Sequence, residues 1–132
     1  MKSGLSVKWF LGFVGISVLL LGMMACGGGS QTVKIGLLSP QTGPIAQYAP
    51  GFEDAGKVAI SELNVTHEGD FEFELIVADS GCDGTQAATS AQTLIDSGVS
   101  AIIGAACSGA TLGAIAVASA AAVPMVSYAS TS

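Results

Sequence analysis

From Thr32 onward, strand-like apolar runs alternate with single helix-length segments, and this alternation restricts the fold more than any other feature of the chain. Thr32 to Leu38 is β-rich and ends at the turn signal Ser39-Pro40. After a long loop, QTGPIAQYAP, residues Phe52, Ala55, Gly56, Ala59, Ile60 and Leu63 fall on one helical face. Glu53 and Asp54 then occupy the expected first turn, where the helix dipole favours acids. Asn64 to Asp70 is polar and reads as a loop, and Phe71 to Asp79 reads as a second strand. Asp83-Gly84-Thr85-Gln86 has the spacing of a capping box. Behind it Ala87, Ala88, Ala91, Leu94 and Ile95 form a buried stripe that Gly98 closes. Ala101 to Gly104 is a short buried strand. Ser108 can cap a third helix running to Ala122, with Leu112, Ile115, Ala116 and Ala120 facing inward, and Val123 starts a fourth strand. The order β-α-β-α-β-α-β, with strands apolar on both faces, predicts an α/β doubly wound parallel sheet.

The first 25 residues fall outside that pattern. Lys2 and Lys8 precede a charge-free run from Trp9 to Ala25. A basic start, an apolar stretch and a small residue before a cut make an export signal. The run is short for a membrane span, which needs about 20 apolar residues, so a cleaved signal is expected, with a retained anchor helix as the alternative. Met23-Met24-Ala25-Cys26 resembles the lipobox of bacterial lipoproteins, with Met23 where Leu is usual. That resemblance implies lipidation at Cys26, a signal over residues 1–25, and a Gly-rich tether over residues 26–31. A plain secretory signal with an incidental Cys is the alternative.

Residues 32–132 are one domain's worth of chain, ending just after the fourth strand, and read as part of a longer protein. The formal net charge of −6 argues against nucleic acid as a partner, since phosphate contacts need a basic face. Only 6% of residues are aromatic, so the core must be built from small side chains.

Ligands of open α/β sheets sit beyond the carboxyl ends of the strands. Ser39, Ser80, Ser108, and Ser130 with Thr131 all fall at or near those ends, and together they favour a polar ligand. Ser108 stands out because a helix start offers unpaired N–H groups to a carboxylate or phosphate. There is no GxxxxGK[ST], GxGxxG or GxSxG motif. His67 reads as a solvated loop residue, and Glu68, Asp70, Glu72 and Glu74 as a solvated edge rather than a metal site. Asp79 has no nearby Lys, His or second acid in sequence, so no acid/base pair emerges and no enzyme or cofactor is expected. Cys82 and Cys107 each lie just past a strand end, and export would place them in an oxidising compartment. A bridge between them would stabilise by roughly 3.5 kcal/mol. Two free buried thiols are the alternative.

Lys34-Ile35-Gly36, Ser39, Thr42-Gly43-Pro44-Ile45-Ala46-Gln47-Tyr48, Asp79-Ser80-Gly81-Cys82-Asp83, Ile103 to Ser108, and Pro124 to Ser127 with Ser130-Thr131 share one further property. In this order they resemble the leucine/isoleucine/valine-binding family of periplasmic solute receptors, which have the type I periplasmic-binding-protein fold. The resemblance covers nearly all of Val33 to Ser132. It implies the first part of the N-terminal lobe of a two-lobe receptor, lipid-anchored on the outer face of the membrane or in the periplasm. Such a receptor binds an amino acid and delivers it to an ABC permease. By the same resemblance Tyr48 lines the ligand side-chain pocket and Ser108 binds the α-carboxylate. Thr131 would help hold the carboxylate and ammonium, Ser130 would supply a carbonyl, and Cys82 and Cys107 would match the family's disulfide pair. The acid that pairs with the ammonium comes from the second lobe in that family. Two other readings stay open: the ligand-sensing domain of a signalling receptor, and an exported doubly wound enzyme.

Overall fold

The computed structural model describes residues 30–131. The expected signal, the lipidation at Cys26 and most of the tether lie outside the described residues.

Strand β1 (Gln31–Ser39) is followed by a single 3-10 turn (Ala46–Tyr48) and helix α1 (Ala49–Thr66). Next come β2 (Phe71–Asp79), α2 (Gly84–Asp96), β3 (Ala101–Ile103), α3 (Ser108–Ala120) and β4 (Met125–Val126). The strands form one parallel sheet in the order β2-β1-β3-β4. The order reverses at β1, which has β2 on one side and β3 on the other. Loops after β1 and β3 therefore diverge at the carboxyl rim, the place where ligands of such sheets bind.

Leu38 and Ile102 of the sheet pack against Ala87, Ala91 and Leu94 of α2 and Ala110, Ala114 and Ala118 of α3. Small residues let these helices approach closely. A methyl group on Gly84 would sit 3.0 Å from the Gly109 carbonyl. Gly36 matters for the same reason: a Cβ there would sit 2.9 Å from a Leu94 methyl. The opposite sheet face carries Ile35, Leu37 and Leu75, which α1 covers over an apolar groove of about 450 Å³.

Several expectations change. Helix α1 begins three residues earlier than its apolar stripe, because Pro50 sits in the first turn, where its missing N–H costs nothing. Glu53 and Asp54 thus lie beyond the first turn; they accept from Gln41 (2.9 Å) and pair with Lys57 (2.9 Å) instead. The helix also runs on to Thr66, through part of the segment expected to be a loop. Asn64 explains this: its amide clamps the backbone of Phe73, donating to the carbonyl at 3.0 Å and accepting the N–H at 2.6 Å. That contact occupies backbone groups of β2, an edge strand. Only half of the capping box forms. Asp83 accepts the Gln86 N–H at 2.8 Å, while the Gln86 side chain turns away to Asp79. In α3 the inward face is Ala110, Ala114 and Ala118; Leu112 is 72% exposed and Ile115 41%.

Candidate functional site

Four loops meet at the carboxyl rim. Their geometry begins with α3, whose N-cap is Cys107, not Ser108. Cys107 has extended backbone angles, and its carbonyl accepts the first helical N–H, from Thr111, at 2.9 Å. Ser108 is therefore the first helical residue, and its hydroxyl is free of capping work. It donates to the Thr131 carbonyl at 2.7 Å and accepts the Thr131 N–H at 3.1 Å. The loop after β4 is thereby fastened to the start of α3, where N–H groups lack helical partners and the dipole is positive. Nothing would obstruct a Cβ on Gly109, so the helix start is open above Ser108.

Beneath this pair lies a hydroxyl cluster. Ser127 donates to the Ala105 carbonyl at 2.8 Å, and the Ser130 and Thr111 hydroxyls both lie 3.2 Å from it, so one of the two donates to the carbonyl and the other to its neighbour. Ser130 and Thr111 also share a short hydrogen bond. Ser127 in turn accepts the Ser130 N–H at 2.9 Å, folding the loop into a tight turn. The Ser130 hydroxyl thus serves the loop. Thr111 and Ser127 escaped the sequence reading. Thr111 could have been found as the residue one helical turn past Ser108 on the same face.

Tyr128 was also missed. Its hydroxyl donates to the Leu38 carbonyl at 3.0 Å, and its ring packs on Phe52 with centroids 4.7 Å apart. Burial, with the nearby Glu53 charge adding to it, pushes its phenol up to about 12. Tyr48 lies in the 3-10 turn after β1, on the same rim, and is 58% exposed. Ser39 and Ser80 do not join the accessible rim. Both are fully buried, and their hydroxyls have no partner among the described residues.

Cys82 and Cys107 are joined by a disulfide with Cα atoms 5.2 Å apart. It links the turn after β2 to the residue immediately before Ser108. Asp79, at the end of β2, is held by hydrogen bonds rather than by a charge partner. Partial burial opposes its charge, but donation from Thr42, Gly81 and Gln86 outweighs this and holds the carboxyl below its ordinary range.

A family model described as periplasmic binding protein matches residues 32–132. The leucine-, isoleucine-, valine-, threonine-, and alanine-binding protein of Pseudomonas aeruginosa is 32% identical over 83 residues, covering 62% of this chain and 22% of that protein. The branched-chain amino acid transporter substrate-binding protein LivJ of Streptococcus pneumoniae, solved with isoleucine, superposes with a TM-score of 0.70 at 32% identity. That match covers 77% of this chain and 30% of LivJ. A solute-binding protein of an ABC transporter from Rhodopseudomonas palustris, solved with 3,4-dihydroxybenzoic acid, gives a TM-score of 0.66 at 31% identity, over 75% of this chain and 27% of that one. The chain spans less than a third of the length of each of these relatives. With the match running from the first strand to the last residue, and the parallel sheet superposing on these solved proteins, the chain belongs to the periplasmic binding protein family and carries its type I fold.

Proposed function

We propose that this chain is part of an extracytoplasmic substrate-binding lipoprotein of an ABC uptake system, holding a branched-chain or other small amino acid between two lobes. The observation that carries this reading is the reciprocal hydrogen bonding of Ser108 and Thr131 at the start of α3. A hydroxyl that both donates and accepts can turn to a carboxylate. The uncapped N–H groups beside it add positive potential. Thr131 flanks the anion and contributes to the ammonium site, and Ser130 offers its carbonyl. Tyr48, exposed on the neighbouring loop, packs on the apolar side chain of the ligand. The relative solved with isoleucine and the relative solved with a dihydroxybenzoic acid have a ligand carboxylate in common. A carboxylate grip in this lobe, with the rest of the ligand read elsewhere, is compatible with both. No step of this function makes or breaks a covalent bond.

In this reading residues 1–25 are a lipoprotein signal, Cys26 carries the lipid, residues 26–31 are the tether, and residues 32–132 are part of the first lobe. An ABC permease in the same membrane is the partner. Calorimetric titration of the complete gene product with leucine, isoleucine, valine, alanine and benzoic acids tests the ligand class. Binding of an aliphatic amino acid that weakens in Ser108→Ala supports the reading. Binding to the aromatic acids alone, or to none of the set, overturns it.

A further inference from the structure

Asp79 is the one carboxylate at the rim that collects hydrogen bonds from three separate segments among the described residues. Its Oδ1 accepts the Thr42 N–H at 3.0 Å and the Gly81 N–H at 2.9 Å. Its Oδ2 accepts the Thr42 hydroxyl and the Gln86 side-chain amide, the latter at 2.9 Å. Thr42 belongs to the loop between β1 and α1, Gly81 to the turn after β2, and Gln86 to the first turns of α2. The contact is also steric. Gly43 has φ +89°, and a Cβ there would overlap the Gly81 carbonyl, so the loop lies backbone on backbone against the turn. Next to Gly81 stands Cys82, whose disulfide reaches Cys107, the neighbour of Ser108.

We propose that Asp79 is a positioning residue for ligand recognition: it fixes the loop that carries Tyr48 onto the disulfide-linked turn that leads to Ser108. The inference rests on the ligand reading above. Without the carboxylate, the segment from Gln41 to Tyr48 keeps the Gln41 side-chain bond to Glu53 of α1 (2.9 Å) and local turn bonds from Ala46 to the Gly43 carbonyl (3.3 Å) and from Tyr48 to the Ile45 carbonyl (3.0 Å). Those bonds shape the loop but do not attach it to β2. Asp79 therefore governs how the aromatic ring meets the ligand side chain and leaves the carboxylate grip alone. A loosened loop penalises long aliphatic ligands, which reach Tyr48, more than alanine, which does not.

The test uses the complete gene product with Asp79→Ala, Asp79→Asn and Thr42→Val. Asn can retain most of the arrangement: its carbonyl oxygen still accepts both N–H groups, and the Gln86 amide can turn to accept from its NH₂. Hydrogen exchange without ligand should show residues 41–48 exchanging about tenfold faster or more in Asp79→Ala, with β1 amides unchanged; a tenfold change corresponds to about 1.4 kcal/mol. Thr42→Val, which keeps the backbone donor, should shift the same amides less, and Asp79→Asn should restore most of the protection. Leucine affinity should fall about tenfold in Asp79→Ala while alanine affinity stays within about twofold. In a Tyr48→Ala background, Asp79→Ala should cost leucine nothing further. Unchanged exchange at residues 41–48, or equal losses for leucine and alanine, overturns the positioning role. If Ser108→Ala weakens binding while the leucine-to-alanine ratio ignores Asp79, the brace fails and the carboxylate grip stands. If the wild type binds no amino acid, the ligand reading fails, and positioning for that ligand fails with it even if exchange shows the brace.

Discussion

Gly113 in the middle of α3 faces the backbone carbonyl of Gly84 in the first turn of α2, and a Cβ at Gly113 would overlap that carbonyl. The two helices meet backbone to backbone at this point. Gly113→Ala gains up to about 1 kcal/mol of helix propensity. Overpacking costs typically 1–3 kcal/mol, and backbone cannot move aside as a side-chain tip can. The expected result is a net loss of stability, read from denaturant midpoints of the complete gene product. Gly51→Ala in α1 is the control, since nothing lies within 4 Å of its Cβ position, and it should stabilise.

The same contact shows where sequence reading stops. The four strands and their parallel direction were legible, though not their order, which puts β1 between β2 and β3; the buried stripe of α2 was legible because polar Thr, Gln and Asp residues mark its outer face. Helix α3 has no polar face to mark: SGATLGAIAVASA is small or apolar almost all round. Its inward side is chosen by clearance between helices, which favours Ala110, Ala114 and Ala118 over the bulkier Leu112 and Ile115. At the site, Ser108 stood out as a residue at a helix start. Its pairing with Thr131 did not, because 23 residues separate them and only the sheet brings their loops together. Asp79 carries no sequence signal of its role, because the donors that hold its carboxylate are neutral groups of Thr42, Gly81 and Gln86.

Tyr128 should couple stability to alkaline pH. Its folded pKa of about 12 exceeds an unfolded value of about 10. The folded state therefore holds the proton more tightly. Its contribution is fully present below about pH 10 and is lost as pH rises toward about 12. Tyr128→Phe should remove this alkaline loss. At neutral pH it should cost about 1 kcal/mol for the bond to Leu38. Melting curves of both proteins from neutral to alkaline pH check this, and identical alkaline slopes would count against it.

Asp79 acts at the other end of the scale. Its folded pKa is depressed, so its contribution to stability is present above the unfolded value of about 3.9 and fades as pH falls through the folded value. Asp79→Asn should be less stable than wild type at neutral pH, and the difference should narrow below about pH 4. Urea titrations across that range measure it. A difference that stays constant down to pH 2 would remove the proposed linkage.

The bridge between Cys82 and Cys107 closes a loop with a sequence separation of 25. Opening it should cost roughly 3.5 kcal/mol in the chain-entropy model. It should also free the Gly81 turn from the start of α3. Non-reducing peptide mapping of the exported protein should recover the linked pair, and Cys82→Ser with Cys107→Ser should lower the melting temperature. Ligand affinity should fall as well, since Ser108 follows directly on Cys107. Free thiols at both positions in the exported protein would defeat the prediction.

Ser108 decides between a ligand contact and a loop fastener. Its hydroxyl bridges the N–H and carbonyl of Thr131, so Ser108→Ala must cost some stability in either case, about 1 kcal/mol for a neutral hydrogen bond. A bond to a ligand carboxylate is stronger, about 1.5–3 kcal/mol. If the hydroxyl turns from Thr131 to the ligand, Ser108→Ala should weaken amino-acid binding by roughly ten- to a hundredfold. Thr111→Val is the comparison. It sits one turn further along α3 and bonds only to Ala105 and Ser130, so it should cost stability with a much smaller loss of affinity. Titration and melting of the two variants separate the roles. Should both lose stability alike while affinity is untouched in Ser108→Ala, the hydroxyl is a fastener, and the carboxylate must be held by the open N–H groups of α3 alone.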